Sequence, residues 1–267
     1  VGFGSTSYWG LGTHWSDDSF SRYVATKSDL RADTLMVVGA YELNDNWSFG
    51  ASADYIATYV NKKKRLLQLG GPDGDFQLKG KDTNSWGYRL STLYKLNARH
   101  QFGLMYRSQV RAKYKGKAYL DGLNAFGSNY EGIFGGMSYE TNVTSVTTFP
   151  QSWVLGYCFK PDDKWTFEAD LEWMDWSTVQ QEKIEFVSET NATRLAVLNG
   201  GNPAPRDWHS ALSFCLGGEY KMNEKWRVRG GYFFHKTPIP SANFDTALPD
   251  SSSNTSTTGI GYSINKN

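Results

Sequence analysis

The chain has 267 residues with 28 Lys and Arg against 27 Asp and Glu, and its formal net charge of +1 gives no basis for general nucleic-acid binding. Mean hydropathy is −0.53 and no run of eighteen apolar residues occurs, which excludes a transmembrane helix. A transmembrane β-barrel is not excluded, because only alternate strand residues must be apolar, and the outlying feature is aromatic: 10 Trp, 16 Tyr and 15 Phe.

Ten strands are predicted in chain order, over about 2–15, 31–43, 46–61, 85–97, 100–116, 146–160, 164–178, 207–222, 225–237 and 255–265. Short polar turns alternate with long loops between them. The turns fall at Asn44–Asp45, Asn97–Arg99, Pro161–Asp163 and Asn223–Glu224, residue types that tolerate or pre-set turn dihedrals. The loops cover about 16–30, 62–84, 117–145, 179–206 and 238–254. Tight connections at one edge and long ones at the other are the pattern of an outer-membrane barrel. Cys158 and Cys215 fall on separate predicted strands and read as two thiols rather than a disulfide. No signal peptide precedes Val1, and "GYSINKN" opens a further copy of the repeat described next, so a piece of a longer chain is expected.

Alternation separates the two faces of these strands. Trp47, Phe49, Ala51, Ala53, Tyr55, Ala57 and Tyr59 share one parity, while Ser48, Gly50, Ser52, Asp54, Ile56 and Thr58 share the other. Phe102, Leu104, Tyr106 and Val110 oppose Arg107, Gln109, Arg111 and Lys113. Trp165, Phe167, Ala169, Leu171 and Trp173 oppose Glu168, Asp170 and Glu172. Trp208, Leu212, Phe214, Leu216 and Tyr220 read as another apolar face. A soluble β-sandwich would show bulk water a face rich in Lys, Thr and Glu. Here the polar parity mixes small residues with Arg and acid ladders, which fits a lumen, and the apolar parity fits lipid.

One sentence recurs along the chain: "YELNDNWSF", "YKLNARHQF", "FKPDDKWTF" and "YKMNEKWRV", opening at Tyr41, Tyr94, Phe159 and Tyr220. An aromatic residue on each side of a polar turn suits a girdle at the membrane boundary, where such rings rest at headgroup level. Repeated Trp also marks propeller blades, but the uneven spacing of the copies favours barrel hairpins.

The segments "NSWGYRLSTLYKLNARHQFGLMYRSQVRAKYKG", "PQSWVLGYCFKPDDKWTFEADLEWMDWSTVQQ" and "DWHSALSFCLGGEYKMNEKWRVRGGYFFHKTPIP", with the following "LPD", resemble the FadL family of outer-membrane long-chain fatty-acid transporters. The resemblance implies an all-β fold: an antiparallel transmembrane β-barrel with about ten of fourteen strands present, short periplasmic turns and long extracellular loops. Residues 1–267 would be one partial barrel domain, with the N-terminal hatch and the terminal strands absent. The "NPA" at Asn202–Ala204 lies in a predicted outer loop and is not read as the family's hatch motif.

Three sets of residues carry over by resemblance. "STSYWGLGTHW" matches the kinked strand, placing Gly10, Leu11 and Gly12 at a lateral opening. Lys64, with Arg65 adjacent, and Arg206 match the basic residues that hold the substrate headgroup. The run "NKKKRLL" leaves the choice among its basic residues open, and it also suits lipopolysaccharide at the outer rim. Leu66, Leu67, Leu69, Phe76, Leu123, Phe126, Ile133 and Phe134 are expected to form an outer hydrophobic groove in the loops 62–84 and 117–145.

The function implied is passive transport of hydrophobic small molecules, foremost long-chain fatty acids, bound in the lumen and released sideways. Uptake of mono-aromatic hydrocarbons and a water-filled diffusion porin are the alternatives. The ligand would be a fatty acid or an aromatic hydrocarbon, and the surroundings membrane lipid and lipopolysaccharide. A monomer in the outer membrane of a Gram-negative bacterium is expected, with no cofactor and no metal. His14, His100, His209 and His235 show no spacing of a zinc site and no accompanying nucleophile motif, so no enzyme is expected.

Overall fold

The computed structural model describes residues 1–264. Its strands are β1 (Gly2–His14), β2 (Lys27–Glu42), β3 (Trp47–Leu66), β4 (Gly74–Lys95), β5 (His100–Arg107), β6 (Val110–Asp121), β7 (Tyr139–Phe149), β8 (Ser152–Phe159), β9 (Trp165–Met174), β10 (Gln181–Glu182), β11 (Ile184–Phe186), β12 (Ala204–Pro205), β13 (Ala211–Lys221), β14 (Trp226–His235) and β15 (Ser253–Tyr262). Two short helices, α1 (Tyr130–Phe134) and α2 (Ala192–Leu198), lie among the long connections. Position 265, at which the last predicted strand ended, lies outside the described residues.

The main sheet is an antiparallel meander in the order β1-β2-β3-β4-β5-β8-β9-β13-β14-β15, with β6 and β7 continuing it above β5 and β8. The sheet curls. The Tyr8 hydroxyl on β1 donates to Glu172 on β9 at 3.3 Å, and Trp15 Nε1 donates to the Thr246 carbonyl at 3.0 Å, both across the enclosed space. Trp86, Leu90, Leu104, Leu155, Leu171 and Leu216 are exposed on the outer face. That face carries the predicted apolar parity of β3, β5, β9 and β13.

The four turns of the repeated sentence have one construction. Asn44, Asn97, Asp162 and Asn223 each accept, through Oδ1, from the backbone N–H groups two and three residues on, at 2.8–3.0 Å. This is an Asx turn, and it aims the residue three positions on into the next strand. That residue is Trp47, His100, Trp165 or Trp226. Its ring packs on the opening aromatic of the next copy: Trp47 on Tyr94 at 4.5 Å, His100 on Phe159 at 4.9 Å, Trp165 on Tyr220 at 4.5 Å, and Trp226 on Tyr262 at 4.7 Å. A second aromatic belt runs through Tyr55–Trp86, Tyr88–Tyr106 and Tyr106–Trp153. The stretch from Trp47 to Tyr55 between the belts is within the roughly 9–11 residues that a tilted strand needs to cross a bilayer.

The structure corrects several sequence expectations. β3 and β4 run as a ladder out to the pair Leu66–Gly74, so most of the predicted loop 62–84 is strand, and Lys64, Arg65, Leu66 and Phe76 lie on it. The predicted strand over 100–116 breaks at Ser108–Gln109, and that over 146–160 at Pro150–Gln151. At the first break the faces exchange. Arg107 points inward at 5% exposure below it, whereas Val110 at 2% and Tyr114 at 6% point inward above it, and Arg111 and Lys113 are exposed. One extra residue in a strand reverses every later side chain. Val110 therefore leaves the outer apolar face, and Arg107 and Arg111 do not form one ladder. Trp208 precedes β13 and packs inside against Trp176, with ring centroids 5.2 Å apart, instead of joining the outer face. The irregularity in β1 falls at Tyr8, between Ser7 and Trp9, while Gly10, Leu11 and Gly12 pair regularly with Arg31, Leu30 and Asp29. Cys158 and Cys215 are free thiols.

Candidate ligand passage

Above the level of Tyr8 the curled sheet encloses an inner cavity of about 510 Å³. Its wall is mostly aromatic and aliphatic: Trp9, Leu30, Phe149, Trp176, Trp208 and Ile239. Trp9 stacks on Phe149 with centroids 4.6 Å apart, and both are buried. The floor is Tyr8. The irregularity in β1 turns it inward, its hydroxyl reaches Glu172, and the Arg107 guanidinium lies 3.3 Å from its ring centroid.

Nearer the long-loop edge lies a groove of about 660 Å³ that includes Lys64, Leu66, Leu67, Leu69 and Phe76. Its far side is built by Phe186, Val197 and Leu198, from β11 and α2. Lys64 stands over the Phe76 ring at 5.6 Å. Among the described residues no carboxylate forms an ion pair with it.

Lys62, Leu78, Glu182, Ile184 and Arg206 face both spaces. Within this partition Glu182 bridges two cations, with Oε1 on Lys62 and Oε2 accepting from Arg206 at 2.6 Å. Arg206 also pairs with Asp245. The Arg206 side chain is 6% exposed, and its Nε is buried without a partner. Burial by itself pushes the Glu182 carboxyl up, but the charges of Lys62 and Arg206 outweigh it and hold the group at about 2. Two cations and two carboxylates leave the partition neutral.

The sequence-predicted residues divide accordingly. Lys64, Arg65, Leu66, Leu67, Leu69, Phe76 and Arg206 line the groove, and Gly10 and Leu11 line the inner cavity. The Arg65 guanidinium is held by Asp75 at 2.5 Å and the Asp73 carbonyl at 2.7 Å. Leu123 and Phe134 are core residues of the outer cap at 1% and 4% exposure, and Ile133 packs against that core. Phe126 is exposed and lines neither space. Gly12 lies one step beyond the cavity wall.

Sequence reasoning missed Glu182 and Asp245. Lys62 belongs to the basic run among which the choice was left open, and it lines both spaces. Asn202 of "NPA" clamps β11, accepting from the Ile184 N–H at 3.0 Å and donating to its carbonyl at 2.7 Å.

One further constellation borders the inner cavity. His235 lies 3.2 Å from Ser213 Oγ through Nδ1 and 3.4 Å from Asp250 through Nε2. Ser213 sits in the middle of three paired strands, between His235 and Glu172.

The whole chain, residues 1–267, matches the family described as outer membrane protein transport protein (OMPP1/FadL/TodX). It is 26% identical over 296 aligned residues to a long-chain fatty acid transport protein of Shigella flexneri, covering 98% of this chain and 63% of the relative. The corresponding protein of Escherichia coli K12 is 25% identical with the same coverage. The chain thus spans about 63% of the length of these relatives. In fold it is similar to a Pseudomonas aeruginosa FadL homologue, at TM-score 0.82 and 20% identity over 97% of this chain and 62% of that one. It is also similar to the Ralstonia pickettii toluene transporter TbuX, at TM-score 0.70 and 21% identity over 99% of this chain and 68% of that one. The curled antiparallel sheet with its two aromatic belts is a transmembrane β-barrel wall, its tight turns periplasmic and its long connections extracellular. With the family matched end to end and the strand architecture in agreement, the chain belongs to the FadL/TodX family of outer-membrane transport proteins of Gram-negative bacteria.

Proposed function

We propose that this chain forms the passage for a hydrophobic small molecule with an acidic head, foremost a long-chain fatty acid. The observation that carries the reading is Lys64, a cation with no carboxylate partner among the described residues, set on an apolar groove that meets an apolar cavity through a shared wall. The tail would lie along Leu66, Leu67 and Phe76 with the carboxylate at Lys64, since a charge-assisted hydrogen bond in a partly dry site is strong. The molecule would then move past Arg206 into the inner cavity.

In wild-type protein, oleate is expected to quench tryptophan emission on binding. Lys64→Ala is expected to weaken that binding about tenfold, the lower end of what a hydrogen bond to a charged group contributes. Toluene binding should be unchanged. Equal oleate affinity in the two proteins would remove Lys64 from the headgroup site.

Exit is proposed to be sideways, past Gly10–Gly12. Tyr8 obstructs the axial route, and Gly10 and Leu11 form the wall immediately above it. A Cβ at Gly10 would meet nothing closer than the Leu30 carbonyl oxygen at 3.6 Å, so the glycine is not required for packing. Gly10→Leu should therefore insert normally yet slow oleate uptake by cells severalfold, and uptake at the wild-type rate would count against this exit.

A second reading, carriage of a mono-aromatic hydrocarbon, is favoured by the ring-lined inner cavity and its neutral partition. An open diffusion porin is disfavoured by Tyr8 across the lumen, and planar-bilayer conductance tests it. Passage within one chain suits a monomer. The exposed Arg111, Lys113, Lys115 and Lys117 on β6, beyond the outer aromatic belt, suit lipopolysaccharide phosphates.

A further inference from the structure

The partition between groove and cavity is closed by a side chain of the protein itself. Glu182 places one carboxylate oxygen on Lys62 and the other on Arg206, which is the bridging arrangement a fatty-acid head would adopt between the same two cations. Its stem faces both apolar spaces, and Ile184, two positions on, shares that face.

The segment that carries Glu182 is short and anchored on both sides: the Gln180 carbonyl accepts from Arg206 and Asp207, and Ile184 pairs with β7, so Glu182 can move only by its side chain. β10 consists of Gln181 and Glu182 alone, and among the described residues it pairs with Ala204 and Pro205 of β12. Arg206, immediately after β12, donates its backbone N–H to the Gln180 carbonyl, so donor and acceptor of the central ion pair ride on one small two-stranded unit. Arg206 moreover keeps a buried Nε without an acceptor, although its two terminal nitrogens are committed to Glu182 and Asp245. A buried donor left unfilled beside two ligand-sized spaces is a place for a third acceptor.

We propose that Glu182 is a resident counter-ion that occupies the position of a ligand carboxylate, and that it sets the selectivity of the passage between acidic and neutral molecules. An acidic ligand enters by exchange: its carboxylate takes over Lys62 and Arg206, and the Glu182 side chain turns out of the partition while β10 keeps its place. Charge in the partition is conserved by the exchange. A neutral ligand obtains no such replacement contact and leaves the ion pairs in place. Glu182 thereby lowers the affinity for acids specifically, because each acid has to displace it. This rests on the proposed passage for hydrophobic molecules.

The test compares oleate with oleyl alcohol, which share chain length and differ in charge, on wild-type, Glu182→Gln and Glu182→Asp protein in detergent micelles, read by tryptophan quenching. Glu182→Gln keeps the shape and removes the competing charge, so oleate should bind about tenfold tighter, with oleyl alcohol unchanged. Glu182→Asp retains the charge but is too short to bridge both cations, and it should give a smaller gain for oleate alone. Should the Gln variant fail to assemble, the order of wild type and Asp variant decides. Oleate affinity that is unchanged or lower in these variants, with oleyl alcohol still bound, would overturn the role of Glu182 while leaving the transport reading intact. Failure of both probes to bind wild-type protein would overturn the transport reading itself.

Discussion

Replacing Arg206 by methionine is expected to cost the outer cap about 3–5 kcal/mol, because it leaves Glu182 and Asp245 as carboxylates without a shared cation in a largely buried site. Removing Lys62, Glu182, Arg206 and Asp245 together in favour of apolar residues of similar volume should restore most of the loss, since no charge of the cluster is then stranded. Urea titration followed by the emission of Trp176 and Trp208, beside the partition, measures both. A loss under about 1 kcal/mol would mean that water already reaches the cluster and screens it. The same cluster sets an acid limit. Glu182 titrates near 2 in the folded protein against an ordinary 4.5, so its contribution is complete above about pH 4.5 and is lost as the pH falls through about 2. In Glu182→Gln that part of the acid sensitivity should vanish.

The second large effect is on the lipid face. Leu104→Arg should destabilise the membrane-inserted protein by about 2–4 kcal/mol, the range for a cation near the bilayer midplane on a barrel exterior. Leu104 is exposed on β5 between His100 of the periplasmic belt and Tyr106 of the outer belt, and it pairs with Leu155 on β8. Met105→Arg, one residue away and on the lumen side, should cost much less, because Asp170 and Glu172 also face that space. Equilibrium unfolding in phospholipid vesicles gives both values. Equal costs at the two positions would contradict the assignment of faces.

What was legible in the sequence follows from how locally each feature is determined. Asn44, Asn97, Asp162 and Asn223 fold their turns by bonding their own neighbours, so four residues of sequence suffice to read them. The lipid faces were legible because every second residue had to be apolar. Val110 was misplaced for a related reason. An inserted residue near Ser108 leaves perfect alternation on both sides of itself, and the pattern holds no mark of which side faces in. The outer halves of β3 and β4 were hidden because both their faces are polar or mixed, as in "NKKKRLL", where alternation carries no signal. Glu182 was hidden more deeply. It lies on a strand of two residues, and its importance comes from Lys62 and Arg206, which the chain brings to it from far away. Leu123 and Phe134 were read as a binding surface because apolar residues in a loop look alike whether they face a ligand or one another.

The aromatic pairs at the periplasmic edge also have a consequence for assembly. Each copy of the repeat supplies one ring to the copy after it, and from the second copy on also one to the copy before it, so no hairpin completes a joint by itself. Trp47 waits for Tyr94, and Trp165 waits for Tyr220. A lost Trp therefore weakens the seam between two hairpins and leaves its own turn intact, since the Asx hydrogen bonds use only the backbone of that position. The repeated sentence works as a tongue-and-groove edge: it fixes which hairpin lies beside which, and at what height, as the wall is laid course by course.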